Sequence, residues 1–439
     1  MPADKQALDA IFKDVFEEGV SEGINTKNPL RDVIKSERVP FKGLDIVKLA
    51  HTSRNVSPMF VGEDSAFADA GQQGYSRLYI DQRKLMSRIR MTYEVMQDST
   101  STEGAFISAR KSEMQYLIDD MSRRDEYAMA ADGRGVLALV NEATPNGNTT
   151  LELDAPGGIT NANFGNRFLS TGMFIGFVNP ATGALRASTT KPKVTAVNSD
   201  GTDVTVDAAA NIGTATADND YVVQVANSSV TDVQDTSYEH AWWGLMALVD
   251  DGTYRASYFG VTRADVPAYS SYVTASTGAL STDLIQRVAD VVDQKLGGRI
   301  SMILCHHSIR RLVVQLTDAD RRYMGASLAR PDPGTVAFKQ GDVPFGDVPV
   351  RAIRDFPLDV MMFLDLQNAG FKEYVSEPGK WVDEDGSVLI RVGSGTSGRD
   401  AFEAWYRMRK QYFMEGPAYC ARLDGITGQS LVVQRAAGS

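Results

Sequence analysis

The chain has 439 residues, 43% hydrophobic and 23% charged, a balance that excludes wholesale disorder; at this length roughly two to four domains are expected. Only two cysteines, Cys305 and Cys420, are present, which excludes a disulfide framework and fits a reducing compartment. A net charge of -11 argues against sequence-specific DNA binding, and no apolar run reaches the roughly 18 residues a membrane helix needs.

The polar start Met1-Pro2-Ala3-Asp4-Lys5 does not read as a signal peptide, so the expectation is a soluble, acidic, intracellular product. Leu8, Ile11, Phe12, Val15 and Phe16 recur at helical spacing and predict a short amphipathic helix. Residues from about 20 to 58 carry no firm period and read as an extended arm. Gly62 to Gly71 is a polar, small-residue loop tip, and Tyr75 to Ile80 reads as strand. From Arg88 the alternation is clean: Ile89, Met91, Tyr93 and Val95 share one face, Arg88, Arg90, Thr92 and Glu94 the other.

At Thr100 the period switches. Thr100-Ser101-Thr102-Glu103 fits a capping box. Behind it Ile107, Met114, Leu117, Ile118, Met121 and Ala128 form a helical stripe, ended by Gly133 and Gly135. About 30 residues at 1.5 Å rise give a rod of roughly 45 Å, longer than one compact domain requires. From about 145 to 236 the chain turns rich in Thr, Val, Asn, Asp and Gly, with short runs such as Asp203 to Val206 between turn signals. That pattern predicts a small β-barrel or sandwich inserted in an α/β chain. Ser281 then caps a helix through Leu284, Ile285, Val288 and Val292, and Gly297-Gly298 stops it. Ile300 to Cys305 reads as a buried strand, followed by a helix through Ile309, Leu312 and Val313. Later strands are expected at Val348 to Ile353, Val360 to Leu364, Val388 to Val392 and Ala404 to Phe413.

The candidate chemistry is thin. Gly393-Ser394-Gly395-Thr396-Ser397-Gly398 matches G-x-G-x-x-G, but too little chain follows for a dinucleotide fold, and a glycine-rich loop is the better account. Cys305-His306-His307 lacks companion ligands, and adjacent residues on a strand end point to opposite faces, so a structural role is expected rather than zinc binding. Asp383-Glu384-Asp385-Gly386 lacks the ligand register of a calcium loop. The basic cluster Arg83, Lys84, Arg88 and Arg90 and the pairs Arg123-Arg124, Arg310-Arg311 and Arg321-Arg322 suit subunit contacts or loose contacts to a nucleic acid backbone. No catalytic, cofactor-binding or metal-ligating residue is assigned, and no enzyme activity is expected.

The order of these elements resembles the HK97-type major capsid proteins of tailed double-stranded DNA bacteriophages. The likeness rests on Gly62 to Ile80 as the extended loop, Arg88 to Asp98 as the long strand, and Thr102 to Gly135 as the spine helix with its exit Ala131-Asp132-Gly133-Arg134-Gly135. Trp243-Gly244-Leu245, Val249-Asp250-Asp251-Gly252-Thr253 and Tyr258-Phe259-Gly260 resemble the lead into the family's axial domain. Pro344 to Val350, Phe363-Leu364-Asp365, Gly416-Pro417-Ala418 and Leu423-Asp424-Gly425-Ile426 resemble its closing segments.

The resemblance implies an α+β, HK97-like capsid fold with these divisions: residues 1–58 as N-terminal arm, 59–84 as extended loop, 85–144 as peripheral strand and spine helix, 145–236 as β-rich insertion domain, 237–280 as return to the peripheral domain, 281–385 as axial domain, and 386–439 as C-terminal peripheral strands. It further implies self-association into hexamers and pentamers of an icosahedral head shell. Scaffolding and portal proteins, and a decoration protein in some cases, are the implied partners, with non-specific contact to packaged double-stranded DNA and no membrane. The implied location is the virion, with assembly in the host bacterial cytoplasm and scaffolding supplied by a separate protein. The rival reading within the same fold is an encapsulin-type compartment shell, whose chains are generally shorter and lack the insert. Relatives that cross-link their shells carry a lysine on the extended loop; here no lysine lies between Lys48 and Lys84, so chain-mail of that kind is not expected.

Overall fold

A computed structural model describes Leu30, Ile34, Gly43 and residues 37–40, 45–94, 103–141, 149–159, 164–186, 191–207, 216–324, 343–345, 348–383, 388–391 and 400–428. The amphipathic N-terminal helix, the Thr100–Thr102 part of the capping box and the glycine-rich 393–398 loop lie outside them. The chain forms two compact units. The first draws on Met1–Leu44, Asp81–Met129 and Phe371–Phe413; the second holds Asp45–Ile80, Ala130–Gly370 and Met414–Ser439.

In the first unit the long strand Ala401–Met414 organises a five-stranded sheet. Arg83–Thr92 pairs with it antiparallel, from Arg83 opposite Lys410 to Thr92 opposite Ala401. Phe371–Trp381 also neighbours the long strand, and Glu37–Pro40 adds to it in parallel, Glu37 opposite Lys372. Helix Glu103–Ala130 lays its expected stripe on this sheet: Met114, Ile118 and Met121 are buried against Trp381, Ala404, Tyr406 and Met408, with Leu85 and Ile89 beside them. The strand expected from Arg88 starts earlier, at Arg83, and ends at Thr92. Its alternation is as read: the odd positions are half-buried under the helix and the even positions face water.

The second unit holds the β-rich insert. Six strands run in the order Ile175–Val178, Tyr221–Gln224, Val136–Val140, Thr150–Asp154, Asp203–Val206, Val194–Val197. A bridge between Phe174 and Lys193 joins the two end strands. Ile175 N–H donates to Pro192 O (3.0 Å) and Val194 N–H to Met173 O (2.9 Å), so the sheet closes into a ring, as the short strands and frequent turns led one to expect. Val136–Val140 lies ahead of residue 145, so the ring takes in chain assigned from sequence to the helix exit. Gly135 makes that join possible: its φ is +72°, and a Cβ there would collide with the Ser237 backbone.

The same unit carries a mixed six-stranded sheet in the order Tyr272–Thr274, Ala421–Leu423, Met361–Leu364, Met302–Cys305, Val348–Ala352, Val343–Phe345. Helix Thr282–Leu296 buries Ile285, Val288 and Val292 against it, and helix His307–Met324 buries Ile309 and Val313. The caps are those expected: Ser281 Oγ accepts from Leu284 N–H (3.2 Å), and Gly297 takes the left-handed conformation. Two divisions read from sequence need correction. Phe371–Trp381, placed within 281–385, belongs to the first unit; Ala421–Leu423, placed with the strands of 386–439, sits inside this second sheet. Strand partners are chosen by three-dimensional register, which no local period encodes.

Apart from two short strand pairs, Ser257–Tyr258 with Val261–Thr262 and Gly278–Ala279 with Ile426–Thr427, the other sheet described in the second unit is a ribbon of Asp45–Ser53 with Gly74–Asp81. Gly74 lies against Ser53 and Gly71 against Asn55, so the two arms run in opposite directions. Asp45–Ser53 had been read as arm; its apolar residues fall on both faces (Val47 and Leu49 outward, Ala50 inward), which blurs the period.

Candidate functional site

The ribbon is anchored at its root. Leu78, Ile80 and Ala50 are buried, Tyr79 N–H donates to Phe259 O (2.9 Å), and Lys48 pairs with Glu415. Beyond that root the large apolar side chains stand mostly in solvent. Val56, Phe60 and Phe67 are 87%, 106% and 87% exposed, and Val47, Leu49, Met59, Tyr75 and Tyr79 are exposed as well. Among the described residues, most of the exposed large apolar side chains therefore sit on this one element, the signature of a surface awaiting a partner. Exposed Glu63, Asp64 and Asp69 make the tip acidic, with no Lys or Arg between Arg54 and Arg77. A turn closes the tip, with Gly62 N–H donating to Ser65 Oγ (3.0 Å).

A second surface has the opposite charge. On the sheet of the first unit, the face turned away from the long helix carries exposed Lys84, Met86, Arg88 and Arg90. Directly opposite on the long strand stand Arg409, Arg407, Trp405 and Glu403. Arg88 and Arg90 share the one Glu403 carboxylate at 3.7 and 3.8 Å, and Arg407 is held by Glu377 at 2.5 and 2.6 Å. Five cations against two acids leave this face positive in a chain that is acidic overall. Arg83, Lys84, Arg88 and Arg90 were read together as a basic cluster; the pleat keeps Lys84, Arg88 and Arg90 on the wet face and turns Arg83 to Asp81 (2.6 Å).

Other motifs resolve into structure. His306 caps helix His307–Met324: its carbonyl accepts from Ile309 and Arg310 N–H (both 3.1 Å), and Nδ1 accepts from Ser308 N–H (3.3 Å). Burial, helped by the Arg167 field, pushes its pKa down to about 3, so the ring stays neutral. The two histidine rings do not diverge to opposite faces; they meet edge to face at 5.5 Å, because the strand ends at Cys305 and the chain turns into the helix. Cys305 and Cys420 are buried thiols whose pKa burial pushes up to about 12. Among the described residues no His, Cys, Asp or Glu group could hold a metal ion. Asp383 is described but Glu384 to Gly386 are not.

Two buried charge clusters were not anticipated from sequence. In the first unit, Lys410 (2% exposed) contacts the Asp125 carboxylate and stands 3.3 Å from Glu373, both acids fully buried. In the second, fully buried Arg422 reaches Asp250 (3.1 Å), Asp424 (2.9 Å), Met246 O (2.9 Å) and Val249 O (2.7 Å). Asp250 also accepts from the N–H groups of Tyr254 (3.0 Å) and Arg255 (2.8 Å), which explains the acid in the Asp250-Asp251-Gly252 turn. The buried polar positions were legible in principle: Asp125 falls four residues after Met121 on the apolar helix stripe, and Lys410 keeps the parity of Ala404, Tyr406 and Met408.

Burial raises the Asp424 pKa to about 6 against the opposing pull of Arg422. Between about pH 4 and 6 the folded chain keeps a proton there that the unfolded chain releases. This group's contribution to stability is full below that window and falls as pH rises through it. Asp424→Asn should flatten that slope, measured as the change in urea midpoint between pH 4.5 and 7.

No protein-family model and no curated protein matches this chain. Among solved structures it is similar to a chain of the cyanophage A-1(L) capsid asymmetric unit, at 11% identity and TM-score 0.54, covering 92% of this chain and 93% of that one. It also matches the capsid of a native GTA particle (12% identity, TM-score 0.42, 92% and 91% covered) and Microbacterium phage Oxtober96 (10%, 0.42, 90% and 90%). At such identity the likeness is one of fold: over nine-tenths of its length this mixed α/β chain, few in helices and many in strands, is folded like a phage capsid subunit.

Proposed function

We propose that this chain is the major capsid protein of a tailed double-stranded DNA phage, assembling as hexamers and pentamers into the icosahedral shell that encloses the packaged genome. The observation that carries the reading is the anchored ribbon, with apolar side chains exposed along arms and tip in a fold shared with a phage capsid chain. A two-stranded ribbon is marginal in water by itself, so its distal part needs a neighbour. In this reading the ribbon is the extended loop, helix Glu103–Ala130 the spine, the first unit the peripheral domain, the mixed sheet of the second unit the axial domain and the six-stranded ring the insertion domain.

Charge suggests where the loop lands. The tip joins aromatic side chains to three acids, and the cationic sheet face joins arginines to Met86 and Trp405, so a loop of one copy and a sheet face of another complement each other. An acidic wall elsewhere holds DNA weakly enough to be packed and released. Scaffolding, portal and decoration proteins are the further partners, and assembly takes place in the host bacterial cytoplasm before the protein resides in the virion.

Electron microscopy of the purified chain, alone and co-expressed with a scaffolding protein, tests this. Hollow particles of uniform diameter are expected, and particles from infected cells should contain DNA. A monomer under every condition would overturn the proposal; closed shells loaded with a protein cargo and no nucleic acid would point to the encapsulin-type compartment.

A further inference from the structure

Lys410 is a primary amine held in a water-excluded site between two carboxylates. Asp125 comes from the long helix, Lys410 from strand Ala401–Met414 and Glu373 from strand Phe371–Trp381. Asp125 and Glu373 are 0% exposed and Lys410 2%. Lys410 Nζ contacts Asp125 Oδ1, lies 3.3 Å from Glu373 Oε1 and donates to Tyr412 Oη (2.7 Å). The Tyr412 hydroxyl in turn donates to Asp125 Oδ1 (3.4 Å), and Phe371 stacks on the Tyr412 ring at 5.5 Å. Arg38 approaches the other oxygen of Glu373 at 3.4 Å.

We infer that this cluster is a self-modification site, at which Lys410 and Asp125 condense into an intramolecular isopeptide bond with Glu373 as the proton carrier. An amine, a carboxyl carbon and a base pre-positioned on packed elements react with an effective concentration no bimolecular encounter reaches. Exclusion of water removes the medium for the reverse hydrolysis.

The balance closes without any co-reactant. Glu373 takes a proton from the Lys410 ammonium, and the freed amine attacks Asp125 Cγ to form the new C–N bond. The Tyr412 hydroxyl donates to the oxygen on which negative charge develops. Glu373 hands its proton to the departing oxygen, then takes a second from Nζ and hands that on too. The C–O bond breaks, one water leaves, and an amide remains with Glu373 restored. Nothing is oxidised or reduced. The bond would tie the long helix to the long strand of the same unit, independently of any association between copies.

Intact mass of the full chain under denaturing conditions tests this. Wild type is expected one water lighter than its sequence mass, and tryptic digestion should leave Lys410 uncleaved within a branched peptide containing Asp125. Lys410→Arg should restore the full mass, and Glu373→Gln should slow the loss of water about 100-fold, the usual scale of a positioned acid–base group. A wild-type chain at full sequence mass with ordinary cleavage after Lys410 overturns the inference, as does water loss that persists in Lys410→Arg. Should either variant fail to fold, the wild-type mass and the branched peptide decide by themselves.

Discussion

Replacing residues 55–72 by a two-residue Asn-Gly turn is expected to leave a soluble, folded chain that no longer forms closed shells. The excised segment contributes almost nothing to the fold around it: Val56, Phe60 and Phe67 are nearly fully exposed, while the anchoring contacts of Leu78, Ile80 and Tyr79 lie outside it. Its value lies in what it buries on a neighbour. Each phenylalanine taken out of water stabilises by about 1.5–3 kcal/mol, so Phe60 and Phe67 together are worth about 3–6 kcal/mol per contact. A shell repeats that contact at every subunit. Sedimentation and electron microscopy should show small species only, with a melting temperature within about 2 °C of wild type. A subtler version reverses charge: Glu63→Lys with Asp64→Lys should block assembly, and adding Arg88→Glu with Arg90→Glu should restore part of it. Normal particles from the truncated chain would refute the role given to the ribbon.

The second large effect concerns stability. Arg422→Met should destabilise the second unit by about 3–5 kcal/mol, because it leaves the buried Asp250 carboxylate without its countercharge and the Met246 and Val249 carbonyls without their Arg422 donor. At a few degrees per kcal/mol, that lowers the melting temperature by roughly 10 °C. Arg422→Lys should recover little, since one ammonium cannot reach Asp250, Asp424, Met246 O and Val249 O together. A calorimetric scan checks both, and a drop below about 2 °C for Arg422→Met would show that Asp250 is satisfied by its backbone donors alone.

The same buried clusters mark how far the sequence could be read. A charged residue in phase with an apolar stripe is a visible signal, and Asp125, Lys410 and Glu373 all carry it: Asp125 after Met114, Ile118 and Met121, Lys410 between Met408 and Tyr412, Glu373 two after Phe371. What the phase cannot disclose is that three such residues, from segments far apart in the chain, meet at one point. The cationic face shows the reverse case. Lys84, Arg88 and Arg90 were seen as a cluster, but their sharing a surface with Arg407 and Arg409 depends on a register set by pairing across the sheet.

By itself the amino-acid order settled the local structure: the Ser281-capped helix from Thr282, the helix through Ile309, Leu312 and Val313, the long helix carrying Met114, Ile118 and Met121, the alternation over Arg88–Thr92 and the closely spaced short strands of the insert. These depend on periods of 3.6 and 2 and on caps, which act over a few residues. Only the tertiary structure decided that Val136–Val140 completes a closed ring, that Ala421–Leu423 enters the sheet of Met302–Cys305, and that Asp45–Ser53 is half of an exposed ribbon. Strand pairing joins residues hundreds of positions apart through uniform backbone hydrogen bonds, and those bonds carry no mark of their partner in either segment.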